Sequence, residues 1–111
     1  MGYNRGDVVI GYDKFKDHSD GRPFLVISSE ETPFHGEQYI TLSLTTRTWH
    51  EERIPIEESD WVEGGAPRSS SIMSWSVNAI SSDEIDIKQG TLTEPIVTTA
   101  TEQLSEYILG H

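Results

Sequence analysis

Apolar residues along the chain come in short runs that are separated by polar, glycine-rich or proline-containing segments. Residues 38–46, QYITLSLTT, have the clearest pattern, in which three aliphatic residues alternate with tyrosine, threonine and serine. An alternation with a period of two is typical of a strand with one buried face. Two shorter apolar runs precede it, in residues 6–13, GDVVIGYD, and 22–29, RPFLVISS. They predict two further strands, of which the second is buried on both faces and admits Pro23 because proline is tolerated at a strand's first residues.

The second half of the chain predicts three more strands around one turn region. Residues 52–58, ERIPIEE, are typical of a weak edge strand, because Pro55 cannot donate a ladder hydrogen bond. Residues 60–68, DWVEGGAPR, are rich in glycine and proline and predict a turn. Residues 69–77 and 85–92 predict the fifth and sixth strands.

The last segment has a helical period instead. From Thr93 onward the apolar positions recur every three or four residues, at Ile96, Val97, Ala100, Leu104, Tyr107 and Ile108. Thr93 is an acceptable N-cap, Pro95 falls within the first turn, and Gly110 follows the last periodic residue. The pattern predicts a helix over residues 94–109. Five to seven short strands followed by one helix predict a mainly β fold, a small, partly open barrel with the helix laid against it.

Composition limits the size of the fold and the kinds of site. The chain has 111 residues, the length of one ordinary domain, and we expect residues 1–111 to form a single domain with a thin core. The absence of cysteine excludes disulfides and cysteine-based zinc sites. We see neither a signal-peptide pattern nor a charge-free stretch long enough to span a bilayer, so we expect a cytoplasmic protein with no membrane partner.

Charge is the strongest compositional signal. Acidic residues outnumber basic ones by 19 to 8, which leaves a formal net charge of −11. Disordered acidic chains have such a balance, but the regular apolar strands argue against disorder here. The acidic residues are scattered, which favours a general surface adaptation over a single docking tail. We therefore expect a folded domain from a halophile, because a high-salt cytoplasm screens the repulsion between surface charges.

Three segments, GDVVIGYD, GRPFLVISS and ITLSLTT, resemble in their order and spacing the MazF/PemK toxins of toxin–antitoxin systems. The resemblance covers nearly the whole chain, is sharpest over residues 6–46 and fades after residue 60. It implies an SH3-like barrel with a C-terminal helix, a fold shared with CcdB-type gyrase poisons. It also implies a homodimer, a cognate antitoxin as partner, and a sequence-specific endoribonuclease that cuts single-stranded RNA without a metal or other cofactor.

The same resemblance implies which residues carry the chemistry. The arginine of the family's Arg-Pro pair and the threonine that ends its third strand correspond to Arg22 and Thr45. The chain departs from the family at Ser70 and Ser71, where many members have an acidic residue and a glutamine. Arg68 could supply the arginine that some relatives use in this stretch, but its acidic partner is missing. The departure favours a site that is built on Arg22 and Thr45.

Elementary chemistry assigns roles to this pair. Cleavage of RNA without a metal uses the 2′-hydroxyl group of the substrate as nucleophile, and negative charge grows on the phosphate oxygens. Arg22 suits the stabilisation of that charge, because its planar guanidinium bonds two oxygens at once and keeps its proton. Thr45 would orient a phosphate oxygen or the 2′-hydroxyl group, although a threonine also suits a strand by its β propensity. The structural alternative for Arg22 is a salt bridge to a neighbouring aspartate, namely Asp7, Asp13 or Asp20.

Substrate contacts are expected from loop residues with basic, aromatic or hydroxyl side chains. The candidates are Lys14, Phe15, Lys16, His18, Thr46, Arg47, Arg68 and Ser70. Because high salt weakens phosphate contacts, binding would rely on stacking and hydrogen bonds, and the few cations should line one groove. Trp49 and Trp61 flank loops and are the better stacking candidates, whereas Trp75 lies in an apolar strand and is expected in the core. His50 beside Glu51 lacks a metal-site spacing and is interpreted as a solvated turn residue.

A different class of function fits the same residues. The missing acidic residue near Ser70 and the acidic surface also suit a non-catalytic barrel module that binds a protein partner or a nucleic acid without cutting it. A third possibility is a toxin that poisons gyrase through the shared fold. Cleavage of RNA, or its absence, separates the first class from the other two.

Overall fold

A computed structural model of the protein describes residues 2–12 and 21–110. Within these residues the chain forms seven strands and one long helix. The strands are β1 (Asp7–Gly11), β2 (Arg22–Val26), β3 (Gln38–Thr45), β4 (Ile54–Pro55), β5 (Trp61–Gly64), β6 (Ser71–Ser81) and β7 (Ile85–Leu92), and the helix is α1 (Glu94–Leu109). Six of these strands and the helix overlap the segments in which the sequence pattern predicts them. The exception is β5, which lies in the predicted turn region.

The unpredicted strand β5 forms because two glycines allow a close approach to β7. Gly64 has a φ of 67°, in the left-handed region, and pairs with Gly90. A Cβ atom at Gly90 would lie 2.8 Å from an atom of the Trp61 ring, so the missing side chain makes room for that ring. The glycine-rich composition that predicts a turn therefore serves an edge strand here.

The strands form one antiparallel sheet in the order β4-β6-β3-β2-β1-β7-β5. The register shifts within the β1–β7, β3–β6 and β5–β7 pairs. Such bulges bend a strand and increase its local twist, and the sheet curls into a half-barrel. The predicted mainly β, SH3-like, partly open barrel with a C-terminal helix is confirmed.

Each face of the curled sheet has its own hydrophobic core. The larger core includes residues of α1 and contains Val8, Leu25, Ile27, Leu42, Leu44, Ile56, Ile72, Leu92, Ile96, Val97 and Ala100. The smaller core contains Val9, Phe24, Val26, Tyr39 and Ile80. Consecutive residues of β2 alternate between the two cores, as the period of two along a strand requires. The prediction that this strand is buried on both faces is confirmed.

The helix begins and ends where the capping pattern predicts. Thr93 precedes α1 in an extended conformation, and Gly110 ends it in the left-handed region with a φ of 80°. Arg5 ties the start of the helix to the sheet, because its Nε donates to Glu94 Oε1 at 2.9 Å and its Nη1 donates to the Ile27 carbonyl at 2.9 Å. No helix in the described part of the chain combines the length and the apolar character that a membrane span needs.

Candidate active site

The two candidate catalytic residues belong to one row at the end of the sheet. β2 and β3 pair with Phe24 opposite Ser43. Arg22 and Thr45 each lie two residues beyond this pair, at the same end of β2 and β3, and Thr45 pairs with Ser71 of β6. Directly opposed residues of an antiparallel pair project from the same face of the sheet. The fold therefore places Arg22, Thr45 and Ser71 at one end of three adjacent strands, in positions that share one face of the sheet.

The side chain of Arg22 is free of carboxylates in the described part of the chain. Arg22 is exposed and forms no ion pair with residues 2–12 or 21–110. Asp7, one of the three aspartates considered as its partner, instead accepts hydrogen bonds from the N-terminal turn and from β7. Asp13 and Asp20 lie outside the described residues. Among the described residues, the exposed guanidinium therefore has no carboxylate partner.

The hydroxyl group of Thr45 is held by the loop that follows β3. Thr45 is partly exposed, and the Arg47 N–H donates to its Oγ1 at 3.1 Å. Two residues earlier on the same face, Ser43 Oγ accepts hydrogen bonds from Ser76 Oγ at 3.0 Å and from Asn78 Nδ2 at 2.9 Å. β3 therefore presents a line of hydroxyl groups on the face that carries Arg22, with Thr45 at its end.

A surface cleft of about 270 Å³ lies where the chain enters β6, and its lining includes Ser70, the residue before Ser71. Its lining residues are Ile56, Glu57, Glu58, Trp61, Ala66, Pro67, Arg68, Ser69 and Ser70. Arg68 and Ser70, two predicted substrate contacts, are joined here by a hydrogen bond from Ser70 Oγ to the Arg68 carbonyl at 3.2 Å. Glu57 and Glu58 place two carboxylates in the same cleft as Ser70, near which the sequence lacks the acidic residue of many family members. Only the tertiary structure reveals them, because they come from a 3₁₀ turn that precedes β5.

Arginines without an ion pair flank the strands that meet at this row. In the described part of the chain Arg5 pairs with Glu94, and Lys88 pairs with Asp7 and Glu63. The described cations with no ion pair to a described residue are Arg22, Arg47, Arg53 and Arg68. In a protein of net charge −11, positive charge that no carboxylate neutralises is what an anionic ligand needs.

A set of aromatic side chains continues from Thr45 along the loop. The guanidinium of Arg47 lies 4.9 Å from the centroid of the Trp49 ring. The ring centroids of Trp49 and His50 are 5.8 Å apart, and those of His50 and Trp75 are 5.3 Å apart. Trp49 is 66% exposed and Trp75 is 39% exposed. We call Arg47, Trp49, His50 and Trp75 the aromatic stack.

Two interpretations of aromatic residues are corrected by this geometry. Trp75 is not in the core, because β6 has extra residues between its partners of Leu42 and Ser43, and Trp75 lies in that bulge. His50 is partly buried between two tryptophan rings and is not a simple solvated turn residue. Trp61 packs against the larger core and also lines the cleft. Composition could not predict these placements, since both depend on the bulge and on contacts between distant segments.

Of the remaining predicted substrate contacts, only Thr46 lies among the residues that the structure describes. Thr46 is exposed and directly follows Thr45. Lys14, Phe15, Lys16 and His18 lie outside the described residues, so the prediction that the lysines share a groove with the arginines stays a prediction. No three His, Asp or Glu side chains within residues 2–12 and 21–110 are grouped so that they could hold a metal ion.

A curled seven-stranded sheet with a C-terminal helix is the fold of the MazF toxins. A mycobacterial endoribonuclease in complex with its cognate antitoxin matches with a TM-score of 0.70 and 18% identity over 98% of this chain and 94% of that one. Another mycobacterial endoribonuclease matches with a TM-score of 0.71 and 20% identity over 99% and 93%. A chain of the MazE–MazF complex from Deinococcus radiodurans matches with a TM-score of 0.73 and 12% identity over 99% and 97%. No protein-family model and no curated protein sequence matches the chain.

Proposed function

We propose that this protein is the toxin of a toxin–antitoxin system and an endoribonuclease that cuts single-stranded RNA. The observation that carries the proposal is the row of Arg22, Thr45 and Ser71, in which an exposed arginine without a described carboxylate partner and a threonine lie at the same end of neighbouring strands. Its setting in a MazF-like fold supports the same function, since solved structures with this fold include endoribonucleases and their antitoxin complexes.

In the proposed reaction, the 2′-hydroxyl group of the substrate gives its proton to water and attacks the adjoining phosphorus. The bond between phosphorus and the 5′-oxygen breaks, the 5′-oxygen takes a proton from water, and a 2′,3′-cyclic phosphate remains on the other fragment. Arg22 bonds the non-bridging phosphate oxygens through its planar fork and stabilises the charge that grows on them. It does not serve as the base, because a guanidinium keeps its proton. Thr45 Oγ1, which already accepts a hydrogen bond from the Arg47 N–H, orients the phosphate or the 2′-hydroxyl group through its own proton. The charge stabilisation comes from protein groups, so the proposed reaction needs no metal.

The test is cleavage of a mixed-sequence single-stranded RNA in EDTA, at low and at high KCl. We expect Arg22→Ala to lower the rate by about 10²–10³-fold, the loss that follows removal of one group that stabilises a developing anion. Arg22→Lys should recover only part of it, because a point charge does not replace a two-pronged contact. Lys88→Gln is the matched control, since it removes one positive charge that is already paired with Glu63.

Two results would refute the proposal. One is cleavage by Arg22→Ala at the wild-type rate, and the other is intact RNA with the wild-type protein at every salt concentration. Retained RNA binding without cleavage would favour the non-catalytic module, which the two serines at positions 70 and 71 also suit. Inhibition of a topoisomerase with intact RNA would favour the gyrase-poison alternative.

Assembly is part of the same proposal. We expect a homodimer that a cognate antitoxin neutralises, and two of the structural neighbours are themselves complexes with an antitoxin or with MazE. Origin in a halophile and a cytoplasmic location stay predictions from composition. Activity that persists at high KCl, where the Debye length falls to about 3 Å at 1 M salt, is the expected signature of that origin.

A further inference from the structure

We propose that the aromatic stack binds an unpaired base of the RNA, next to the phosphate held by Arg22 and Thr45. The inference rests on the proposed function for the identity of that phosphate, but the stack is a separate binding site with its own test. Stacking on an aromatic ring tolerates any base, because every base has a π-face. The aromatic stack would therefore supply affinity, while the choice of sequence would come from elsewhere in the groove.

The first argument is that the stack is not needed to close a core. None of Trp49, His50 and Trp75 belongs to either core, and Trp49 is 66% exposed. Two of them neighbour each other in a loop, and the third comes from the β6 bulge, so the contact between His50 and Trp75 depends on the fold. His50 contacts both tryptophans, at interplanar angles of 56° to Trp49 and 65° to Trp75, and the exposed Trp49 ring offers flat area to a ligand.

The second argument is continuity with the candidate active site. The Arg47 N–H donates to Thr45 Oγ1 at 3.1 Å, and the guanidinium of the same residue lies 4.9 Å from the Trp49 centroid. Trp49 is four residues from Thr45, a reach of at most about 14 Å for a fully extended chain. A nucleotide that adjoins the phosphate at Thr45 is thus within reach of the stack.

The third argument concerns the chemistry of the occupant. Arg47 has no ion pair with a described residue, and a guanidinium stacks on a base as well as on an indole ring. Arg53, whose Nη1 donates to the His50 carbonyl at 2.9 Å, adds a second cation beside the rings. None of the four stack residues lines the described cleft, and the stack presents an exposed ring beside positive charge. These features favour a polynucleotide.

The experiment measures binding of a fluorescein-labelled, mixed-sequence 2′-O-methyl RNA oligonucleotide, which lacks the nucleophilic hydroxyl group and stays intact. Fluorescence anisotropy in EDTA gives the Kd. Trp49→Leu keeps apolar volume but removes the π-face, whereas Trp49→Phe keeps a π-face. We expect Trp49→Leu to raise the Kd by about 5- to 150-fold and Trp49→Phe to raise it much less. Trp75→Leu should weaken binding in the same direction, and Tyr107→Leu, which alters an exposed aromatic residue on α1, should leave the Kd unchanged.

The salt dependence of RNA binding distinguishes the contribution of the Trp49 ring from that of the Arg47 charge. Trp49→Leu should weaken binding by a similar factor at low and high KCl, because stacking releases no counterion. Arg47→Gln should reduce the slope of log K against log salt by about 0.7, the value for one phosphate contact with a single strand. With cleavable RNA, Trp49→Leu should raise KM and leave kcat near the wild-type value, in contrast to Arg22→Ala.

Equal RNA affinity of Trp49→Leu and the wild-type protein would overturn the inference. So would equal loss in Trp49→Leu and Trp49→Phe, since that result would indicate a shape-specific contact and not stacking. If Trp49→Leu binds RNA normally but loses a purified antitoxin, the surface belongs to a protein partner and the inference is wrong. RNA binding that depends on Trp49, in a protein that cuts no RNA, would support the aromatic stack while refuting the ribonuclease.

Discussion

Asp7, the acidic residue of the Gly-Asp pair that opens the first strand, should contribute strongly to stability. It is 6% exposed, and its two carboxylate oxygens have different partners. Oδ2 accepts a hydrogen bond from the Asn4 N–H at 2.8 Å, and Oδ1 accepts one from Thr91 Oγ1 at 2.9 Å. Asp7 therefore joins the N-terminal turn, β1 and β7. We expect Asp7→Ala to destabilise the fold without any direct effect on the Arg22 row.

The expected loss of unfolding free energy in Asp7→Ala follows from these two hydrogen bonds. A hydrogen bond to a charged group contributes about 1.5–3 kcal/mol, so loss of both should cost about 3–6 kcal/mol. Lys88 Nζ, 4.0 Å from Oδ1 and partly exposed, adds little. An unfolding entropy of about 2.1 cal/mol/K per residue converts this loss into a Tm lowered by about 13–26 °C for a chain of this length. Asp7→Asn should lose about half as much, because an amide keeps only one good acceptor.

Thermal and urea unfolding followed by circular dichroism provide the measurement. Asp86→Asn, at an exposed position of β7, is the control for loss of one negative charge. A double-mutant cycle with Thr91→Val should return a coupling energy of about 0.5–3 kcal/mol, the range for residues in contact. A Tm for Asp7→Ala within a few degrees of the wild-type value, or additive effects in the cycle, would refute the reasoning.

Two further predictions concern β5 and β7. Gly90→Ala should lower the free energy of unfolding by about 1–3 kcal/mol, because its Cβ would lie 2.6 Å from the Glu63 carbonyl oxygen and 2.8 Å from the Trp61 ring. Gly65→Ala has open space around it and should be nearly neutral. A urea titration of both variants measures the difference. The hydrogen bond between Lys88 and Glu63 lowers the pKa of Glu63 and raises the pKa of Lys88. The stabilising effect of the pair is therefore present near neutral pH, is lost in acid as Glu63 is protonated through its lowered pKa, and is lost in strong base as Lys88 deprotonates through its raised pKa. The difference in Tm between the wild-type protein and Glu63→Gln should shrink towards both extremes, and a constant difference across pH would contradict this assignment.

The elements that the sequence predicts well are those whose signal is local. β3 follows from alternation within eight residues, and α1 follows from a helical period that Thr93 and Gly110 bound. β5 was predicted to be a turn, because its strand character depends on pairing with Gly90, 26 residues after Gly64 along the chain. Trp75 was expected in the core for a similar reason, since a bulge is invisible to a pattern of apolar residues.

The candidate site also has a part that the sequence predicts and a part that depends on the fold. Arg22 and Thr45 are chosen through the resemblance to the MazF/PemK toxins, in which an Arg-Pro pair opens one strand and a threonine ends the next. That the two lie at the same end of neighbouring strands, on one face of the sheet, depends on the β2–β3 register, and a one-residue slip would move one of them to the other face. The carboxylates of Glu57 and Glu58 beside Ser70, and the contact of His50 with Trp75, join segments that no local pattern links.

By itself, the sequence determined the succession of strands and helix, the acidic surface and the identity of the two candidate catalytic side chains. Periodicity, capping and charge are properties of neighbouring residues, and they survive in the unfolded chain. The tertiary structure decided which side chains share a surface, namely the row across β2, β3 and β6, the cleft where the chain enters β6 and the aromatic stack. Strand register and bulges set these distances, and both are established only when distant segments pair.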